Sequence, residues 1–532
     1  MRISARSGTW PADANIALVT RIAVATTSQL AADAAAEVAA LGGNAVDCAL
    51  AAALLAMNSE PGVCAMAGGA YVTVWRAGEE PVTIDGNVAI PGRGLPRAQR
   101  GQGTEVVAME YGGGISTLAG AGAVAVPGTP AAIECAWQRY GKASWRDVFV
   151  PSIRAARDGF PLSAACHYYL GYSGKCIFGR SDDGYHALHD TDGTLRQPGA
   201  TIIIPHLADS LSAIADDGAR AFYEGELGVA MTSHVRARGG MLTADDLKHY
   251  QAIERPSLQS EIAAWTIASN PPPAVGGAVL AAMLTAFARQ PARRWDRDSL
   301  ARLIAVQHAC LNYRKRRLDL ADDVGAEATR MIDAARSGRL LTQWSSASTV
   351  HTSAVDDEGT ACAITASSGY GSGEMPRGTG LWLNNCLGEL ELNRRGLDAG
   401  PIGARLPSNM APSVARRGDT ILAIGSPGAD RITTALHQFL VNALQMDMPL
   451  AEAVAHPRIH VDTSGESDRL AAEAGLELPD VDLPLQVYPE INMYFGGVGA
   501  ASFDRHRGFE AAADPRREGG VYISTGEAAW RL

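Results

Sequence analysis

The chain is expected to fold as an α+β protein built in packed layers. Three observations predict this: two Ala-rich helical segments run into two short strands near the start, a β-hairpin occupies 349–365, and a glycine turn near 425–430 leads from a strand into a helix. From Ser28 to Met57, QLAADAAAEVAALGGNAVDCALAAALLAM reads as two helices broken at Gly42-Gly43, with Asn44 positioned to cap the second. Asp33, Glu37 and Asp47 within it argue against a membrane span. A glycine-bearing turn then leads into strands at Ala70 to Trp75 and Val82 to Asp85.

Within 123–165, a strand and a Pro-Gly turn precede a helix, a stop at Tyr140-Gly141 and another helix. Residues 208–320 read as mainly helical, with one strand-like segment, LQSEIAAWTIASN, before PPPAVGG. The stretch Ala321 to Ser348 has mixed charge and ends in SSAS, an accessible loop suited to processing. In TVHTSAVDDEGTACAITASSGYGSG, a strand from Thr349 turns at Asp356-Asp357-Glu358-Gly359 and returns through Thr365. Beyond it come strands at Gly380 to Asn385 and Thr420 to Gly425, a helix opened by GSPGADRITTALHQFLVNAL, and a tail of closing strands.

Composition narrows the function classes. With 532 residues, 47% hydrophobic content and 19% charged content, the chain can bury an extensive core. Its net charge is −11 and it has no Lys/Arg-rich run of five or more, so nucleic acid is not an expected partner. The eight cysteines, Cys48, Cys64, Cys135, Cys166, Cys176, Cys310, Cys362 and Cys386, form no C-x-x-C pair and read as small buried hydrophobes. The first twenty residues lack a signal-peptide pattern and the longest apolar runs are too short to span a bilayer; the chain as given is expected to be cytoplasmic, with no membrane partner. No metal or cofactor is implied, because H-E-x-x-H, P-loop, GxSxG and Rossmann glycine patterns are missing from the sequence.

The hairpin places a threonine hydroxyl at its open end. Threonine is a poor nucleophile unless a base takes its proton, and its own α-amine serves when the residue is N-terminal. For Thr349 that requires a cut between Ser348 and Thr349, giving segments 1–348 and 349–532. On the hairpin alone, an ordinary β-branched strand residue is the simpler reading. His351 would share Thr349's strand face, and it reads as a packed histidine.

Taken together, LGGNAVDCALAAALL, GAVAVPGTPAAIECAWQRYGKASW, RAARDGFPLS, ARAFYEGELGVAM, RGGMLTADDLKHY, NPPPAVGGAVL, TVHTSAVDDEG, GTGLWLNN, LPSNMAPSV, GSPGADRI, HPRIHVD and EAAADPRREGG resemble the gamma-glutamyltranspeptidase family of N-terminal-nucleophile hydrolases nearly end to end. The resemblance implies a four-layer αββα sandwich and autoproteolysis of one precursor into a large and a small subunit, intertwined in one structural unit. It also implies attack by Thr349 on the carbonyl of a small-molecule amide. By the same resemblance, Ser367 supplies a hydroxyl to the nucleophile, and Gly428 and Ala429 supply oxyanion-hole N–H groups, provided that the local φ accepts a Cβ. Ser408 and Asn409 match a pair of substrate-carboxylate-binding serines, the asparagine donating through its amide; Asn385 lies at the LLNN-like strand end, and Glu389 matches an acidic residue that receives an α-ammonium.

Departures from the family pattern bear on substrate. Where gamma-glutamyl enzymes of the family place an arginine that clamps the α-carboxylate, this chain has Asn87. The loop before Gly369 is shorter by two residues and Cys386 replaces a polar contact, so a different acyl donor is expected; Arg93, Arg377 or Arg405 could restore the charge from another direction. Three functions stay open: a self-processing amidohydrolase or acyltransferase, an acylase or specialised-metabolite C–N or C–C hydrolase, and an uncleaved non-catalytic binding protein. Homo-oligomerisation is also open.

Overall fold

In the computed structural model, residues 20–99, 102–110, 114–339, 349–390, 392–398, 400–463, 467–524 and 529–530 are described. Two large sheets use fourteen strands, in chain order β1 (Ile22–Thr26), β2 (Gly69–Trp75), β3 (Val82–Gly86), β4 (Ile253–Pro256), β5 (Leu258–Ile262), β6 (Trp265–Ser269), β7 (Val350–Asp356), β8 (Ala361–Ser367), β9 (Ser413–Arg417), β10 (Thr420–Gly425), β11 (Gly499–Asp504), β12 (Gly508–Ala513), β13 (Gly520–Ser524) and β14 (Ala529–Trp530). The first sheet has the order β14-β13-β1-β7-β8-β2-β3-β4 and the second β12-β11-β10-β9-β6-β5. All pairings within both are antiparallel. Both sheets combine strands from before and after residue 349, so neither segment has a sheet of its own.

The period-two register of β7 and β8 buries both of their faces. Ala354, Cys362 and Ile364 pack against the helices α1 (Gln29–Ala40) and α2 (Ala45–Ser59), while Val355, Ala361 and Ala363 meet Val414, Ile421, Ala423 and Ala501 of the second sheet. Such strands read as apolar throughout, without in–out alternation. The outer face of the second sheet is covered by the helices α3 (Gly276–Phe287), α4 (Arg297–Tyr313) and α5 (Arg431–Leu440) through Leu280, Leu284, Leu300, Leu303, Ile432 and Leu436. Helices and sheets are thus mixed in packed layers.

Asn44 caps α2 in a reciprocal box with Asp47, and Gly141 closes the helix Thr129–Tyr140, both as the sequence indicates. Four readings change. LQSEIAAWTIASN is two strands, β5 and β6, joined by Ala263-Ala264 at φ 45° and 67°; this tight turn was invisible because glycine or asparagine normally marks it. Residues 380–385 form no strand: only Leu383 bridges to Ala67, since the Asn384 amide donates to the Ala67 and Ala125 carbonyls, taking acceptors that a ladder would use. The strand expected before the Pro-Gly turn reduces to a single bridge between Ala89 and Val126, because the chain at Ala121–Ala123 winds into a 3-10 turn. The stretch after Ala321 is a helix over Val324–Ser337, capped by Asp323 and stopped by Gly338 at φ 76°. The expected loop shrinks accordingly, and its SSAS end, with Ser348, lies outside the described residues.

Candidate active site

Register sets one row of the site. Val350 pairs with Ala366, so Thr349 and Ser367 stand opposite each other at the hairpin's open end; Ser367 also pairs with Gly69, and Ala70 with Gly86, which brings Asn87 alongside. A Cβ on Gly69 would lie 2.7 Å from the Asn87 Oδ1, so glycine is required for this approach. Thr349 shares its strand face with His351 and Val355, the face turned toward the second sheet. The second sheet contributes from its own end: Ser408–Met410 precede β9, and 426–430 follow β10. Between them lies a narrow cleft lined by Thr349, Ser367, Asn87, Glu389, Ser408 and Asn409, together with Val88, Cys386, Leu392, Pro407 and Met410.

The loop carrying Ser408 is tied to α3, whose Val275 and Gly276 N–H groups donate to the Ser408 carbonyl at 3.0 Å. The Ser408 Oγ accepts from the Met410 N–H at 3.2 Å and keeps its own proton to donate. Asn409 offers both kinds of group. One Nδ2 proton goes to the Asp430 Oδ1 at 2.5 Å, and its buried Oδ1 has no partner among the described residues. The asparagine therefore presents an acceptor beside its second Nδ2 proton.

Glu389 is 3% exposed and is the one formally charged residue among the described lining residues. Burial, with Glu389 nearby and hydrogen-bonded to it, pushes the Cys386 thiol well up, so the thiol stays protonated. Gly369, at φ 66°, passes so close that a Cβ there would lie 2.8 Å from the Glu389 Oε2. Asn385 does not line the cleft. Its Nδ2 donates to the Thr117 Oγ1 and the Leu118 carbonyl, both at 3.0 Å, and its Oδ1 accepts from the Gly371 N–H at 3.1 Å. Its amide braces the loop behind the cleft, in place of the expected substrate contact.

Asn87 donates from Nδ2 to the Leu406 carbonyl at 2.8 Å and accepts at its own carbonyl from the Tyr250 hydroxyl at 2.6 Å. None of the three arginines that could replace the missing charge lines the cleft. Arg405 donates to Asp85 and to the Gln251 carbonyl and stacks 4.4 Å over the Tyr250 ring. Arg93 sits by Asp246, and Arg377 is exposed.

Gly428 and Ala429 lie at the entrance of α5, with φ of 118° and 69°. Alanine is thus held in the left-handed region, a conformation that costs on the order of 1 kcal/mol for an L residue. Neither N–H is spent on a backbone carbonyl among the described residues. The turn adjoins the cleft through the Asn409–Asp430 bond, and the fully buried Arg314 holds Asp430 at 2.8 Å while also pairing with Asp319 at 3.0 Å. Sequence reasoning missed Arg314, Asp430 and the apolar lining; an aspartate at a helix entrance reads as an N-cap, and Arg314 lies in a run of basic residues that looks solvated.

His351 is a packed histidine. The Ser353 hydroxyl gives its proton to the Gly499 carbonyl at 3.0 Å, so at the 2.7 Å contact with Ser353 the His351 Nε2 must donate, and Nδ1 accepts from the Thr365 hydroxyl at 2.8 Å. Burial lowers its pKa to about 3, so it stays neutral.

A family model described as Gamma-glutamyltranspeptidase matches residues 31–524. Among similar proteins, a glutathione hydrolase proenzyme of Escherichia coli (strain K12) is 26% identical over 79% of this chain and 77% of its own length. The acylase ACY 1 proenzyme of Pseudomonas sp. (strain V22) is 28% identical over 82% of each chain. Among solved structures, the cephalosporin acylase from Bacillus halodurans superposes with a TM-score of 0.78 at 22% identity, covering 100% of both chains, which speaks to the fold.

Proposed function

The chain belongs to the gamma-glutamyltranspeptidase family of hydrolase and transferase enzymes, and from that premise we propose a self-processing threonine amidohydrolase or acyltransferase whose nucleophile is Thr349. In the precursor, the Thr349 Oγ attacks the Ser348 carbonyl, the peptide nitrogen departs as the threonine's α-amine, and water opens the resulting ester. The mature α-amine then takes the Oγ proton as Thr349 attacks a substrate amide. The Gly428 and Ala429 N–H groups stabilise the oxyanion, and the leaving amine takes the proton back. The segments 1–348 and 349–532 become the large and small subunits of an αββα sandwich.

The observation that carries this reading is the cleft that collects Thr349, Ser367, Glu389 and the pair Ser408-Asn409 from four separate stretches of chain. For substrate, the lining favours donors: a buried Glu389 carboxylate, an unpaired Asn409 carbonyl and no lysine or arginine among the described lining residues. An amino-acid-derived amide with an ammonium on its acyl arm, lacking the α-carboxylate of a glutamyl group, fits that chemistry; a 4-aminobutyryl amide is the simplest case. Relatives named acylase favour a second reading, hydrolysis of a bulkier amide by the same residues. Thr349→Ala should abolish both cleavage and turnover, lowering kcat/KM by on the order of 10³-fold or more. A Thr349→Ala protein that still splits, or that still turns over 4-aminobutyryl amides, would exclude the assignment.

A further inference from the structure

A groove of about 620 Å³ meets the active-site cleft at Pro407, which lines both. Leu392 lines the cleft and its neighbour Asn393 the groove, and Leu406 and Ser408 divide in the same way on either side of Pro407. The groove's walls include Pro272, Pro273, Pro401, Leu406 and Ala321. Proline rings present flat, stiff, apolar faces and no N–H.

The charges lining the groove are matched within the protein. Arg255 and Arg405 both donate to Asp85, at 2.8 and 3.2 Å, and Arg395 donates to Asp322 at 2.6 Å. On the acidic side, Asp319 is paired with Arg314 at 3.0 Å and Asp323 caps a helix by accepting from the Ala326 N–H at 2.9 Å. Three arginines face three aspartates in the lining, so the groove carries no net formal charge and offers a charged ligand little attraction. An uncharged ring system would displace only water.

Departure chemistry decides which part of the substrate belongs there. The acyl group stays bonded to the nucleophile after the first step and needs the small cleft, whereas the leaving amine must exit while the acyl-enzyme persists and needs the larger, open space. We propose that the groove binds the leaving-group side of the substrate, as an uncharged, flat, ring-bearing moiety attached to the scissile nitrogen. This rests on the amide-cleaving reading above.

The test has a kinetic and a binding arm. Wild-type mature enzyme is given 4-aminobutyryl N-(2-naphthylmethyl)amide and 4-aminobutyryl N-methylamide, and the groove is filled by Ala321→Trp, away from the catalytic residues, so that the difference in leaving-amine basicity is the same for both enzymes. The expected result is a preference of about tenfold or more in kcat/KM for the naphthylmethyl amide, lost in Ala321→Trp with the methylamide rate unchanged. In the second arm, 2-naphthalenemethanol binding is followed by equilibrium dialysis, with tenfold weakening expected in the variant. Should Ala321→Trp fail to fold, Pro401→Trp at an exposed lining position repeats both arms. Equal binding of the naphthyl probe by wild type and folded variant, or no binding by wild type, overturns the groove assignment whatever the kinetics show. Groove-dependent probe binding without cleavage of either amide leaves the groove standing and removes the proposed reaction instead.

Discussion

Thr349 reaches its place by register: one residue before β7 and opposite the last residue of β8, it sits where two buried strands end at a cleft. A one-residue slip of that hairpin would turn its side chain from the inter-sheet face to the helix face. Asn87 holds the neighbouring strand end, with its amide on the Leu406 carbonyl. Under the proposed chemistry, Asn87→Arg places a guanidinium where the described lining residues include no lysine or arginine, and a bidentate carboxylate pair can contribute 1.5–3 kcal/mol, roughly tenfold or more in binding. Asn87→Arg is therefore expected to raise kcat/KM for a gamma-glutamyl anilide by about tenfold and to leave a 4-aminobutyryl anilide unchanged or slower. An unchanged gamma-glutamyl rate would mean that cleft shape excludes the glutamyl arm.

At the scale of elements, the site depends on how the entrance of α5 is held. Asp430 bridges the cleft residue Asn409 to the buried Arg314 on the turn after α4, and Arg314 is shared with Asp319. Removing the arginine leaves the buried Asp430 without its cation and Asp319 with Arg394 alone, at 3.4 Å. Arg314→Met should destabilise the fold by about 3–5 kcal/mol, read from denaturant unfolding of the mature protein; a loss below about 1 kcal/mol would show that the network contributes little. Legibility in the sequence follows the same elements. Asn44 before an Ala-rich run, Gly141 after one, and the GSPG turn carry local chemistry that a single sequence displays. Ala263-Ala264 turns without any turn residue, Asn384 and Asn385 spend their amides on backbone from distant segments, and Arg314 finds its partners only across the fold. Such features depend on contacts between residues far apart in the chain, so no local pattern announces them. Thr349, Ser367, Glu389 and the pair Ser408-Asn409 were legible because they sit in local motifs, whereas Asn385 sits in one and still turns away from the cleft, and the apolar lining, Val88, Leu392 and Met410, carries no motif.

Across the whole molecule, buried titratable groups bound the pH range of stability. Burial lowers His351 and His437 to about 3 and His460 to about 4, against 6.5 when exposed. The unfolded chain therefore binds more protons below pH 6.5, and stability present above that value is lost as pH falls toward 4 and 3. Glu60 works in the opposite sense. Burial raises it from 4.5 to about 7, opposed by the Thr27 hydroxyl, which donates to it at 2.6 Å, and by Arg517. Its contribution is complete below pH 4.5 and lost as pH rises through about 7. Glu60→Gln keeps the acceptor for Thr27 and removes the ionisation, so it should stabilise the protein by roughly 1–3 kcal/mol at pH 8 and by little at pH 5. Thermal unfolding at the two pH values checks this, and equal shifts at both would contradict it.

The two interleaved segments, the hairpin and the cleft serve one central claim, that the working enzyme begins a chain at Thr349. N-terminal sequencing and intact mass of catalytically active protein test it most directly. Two chains are expected, the smaller reading Thr-Val-His; active material consisting only of the uncut 55.7 kDa chain would contradict the account.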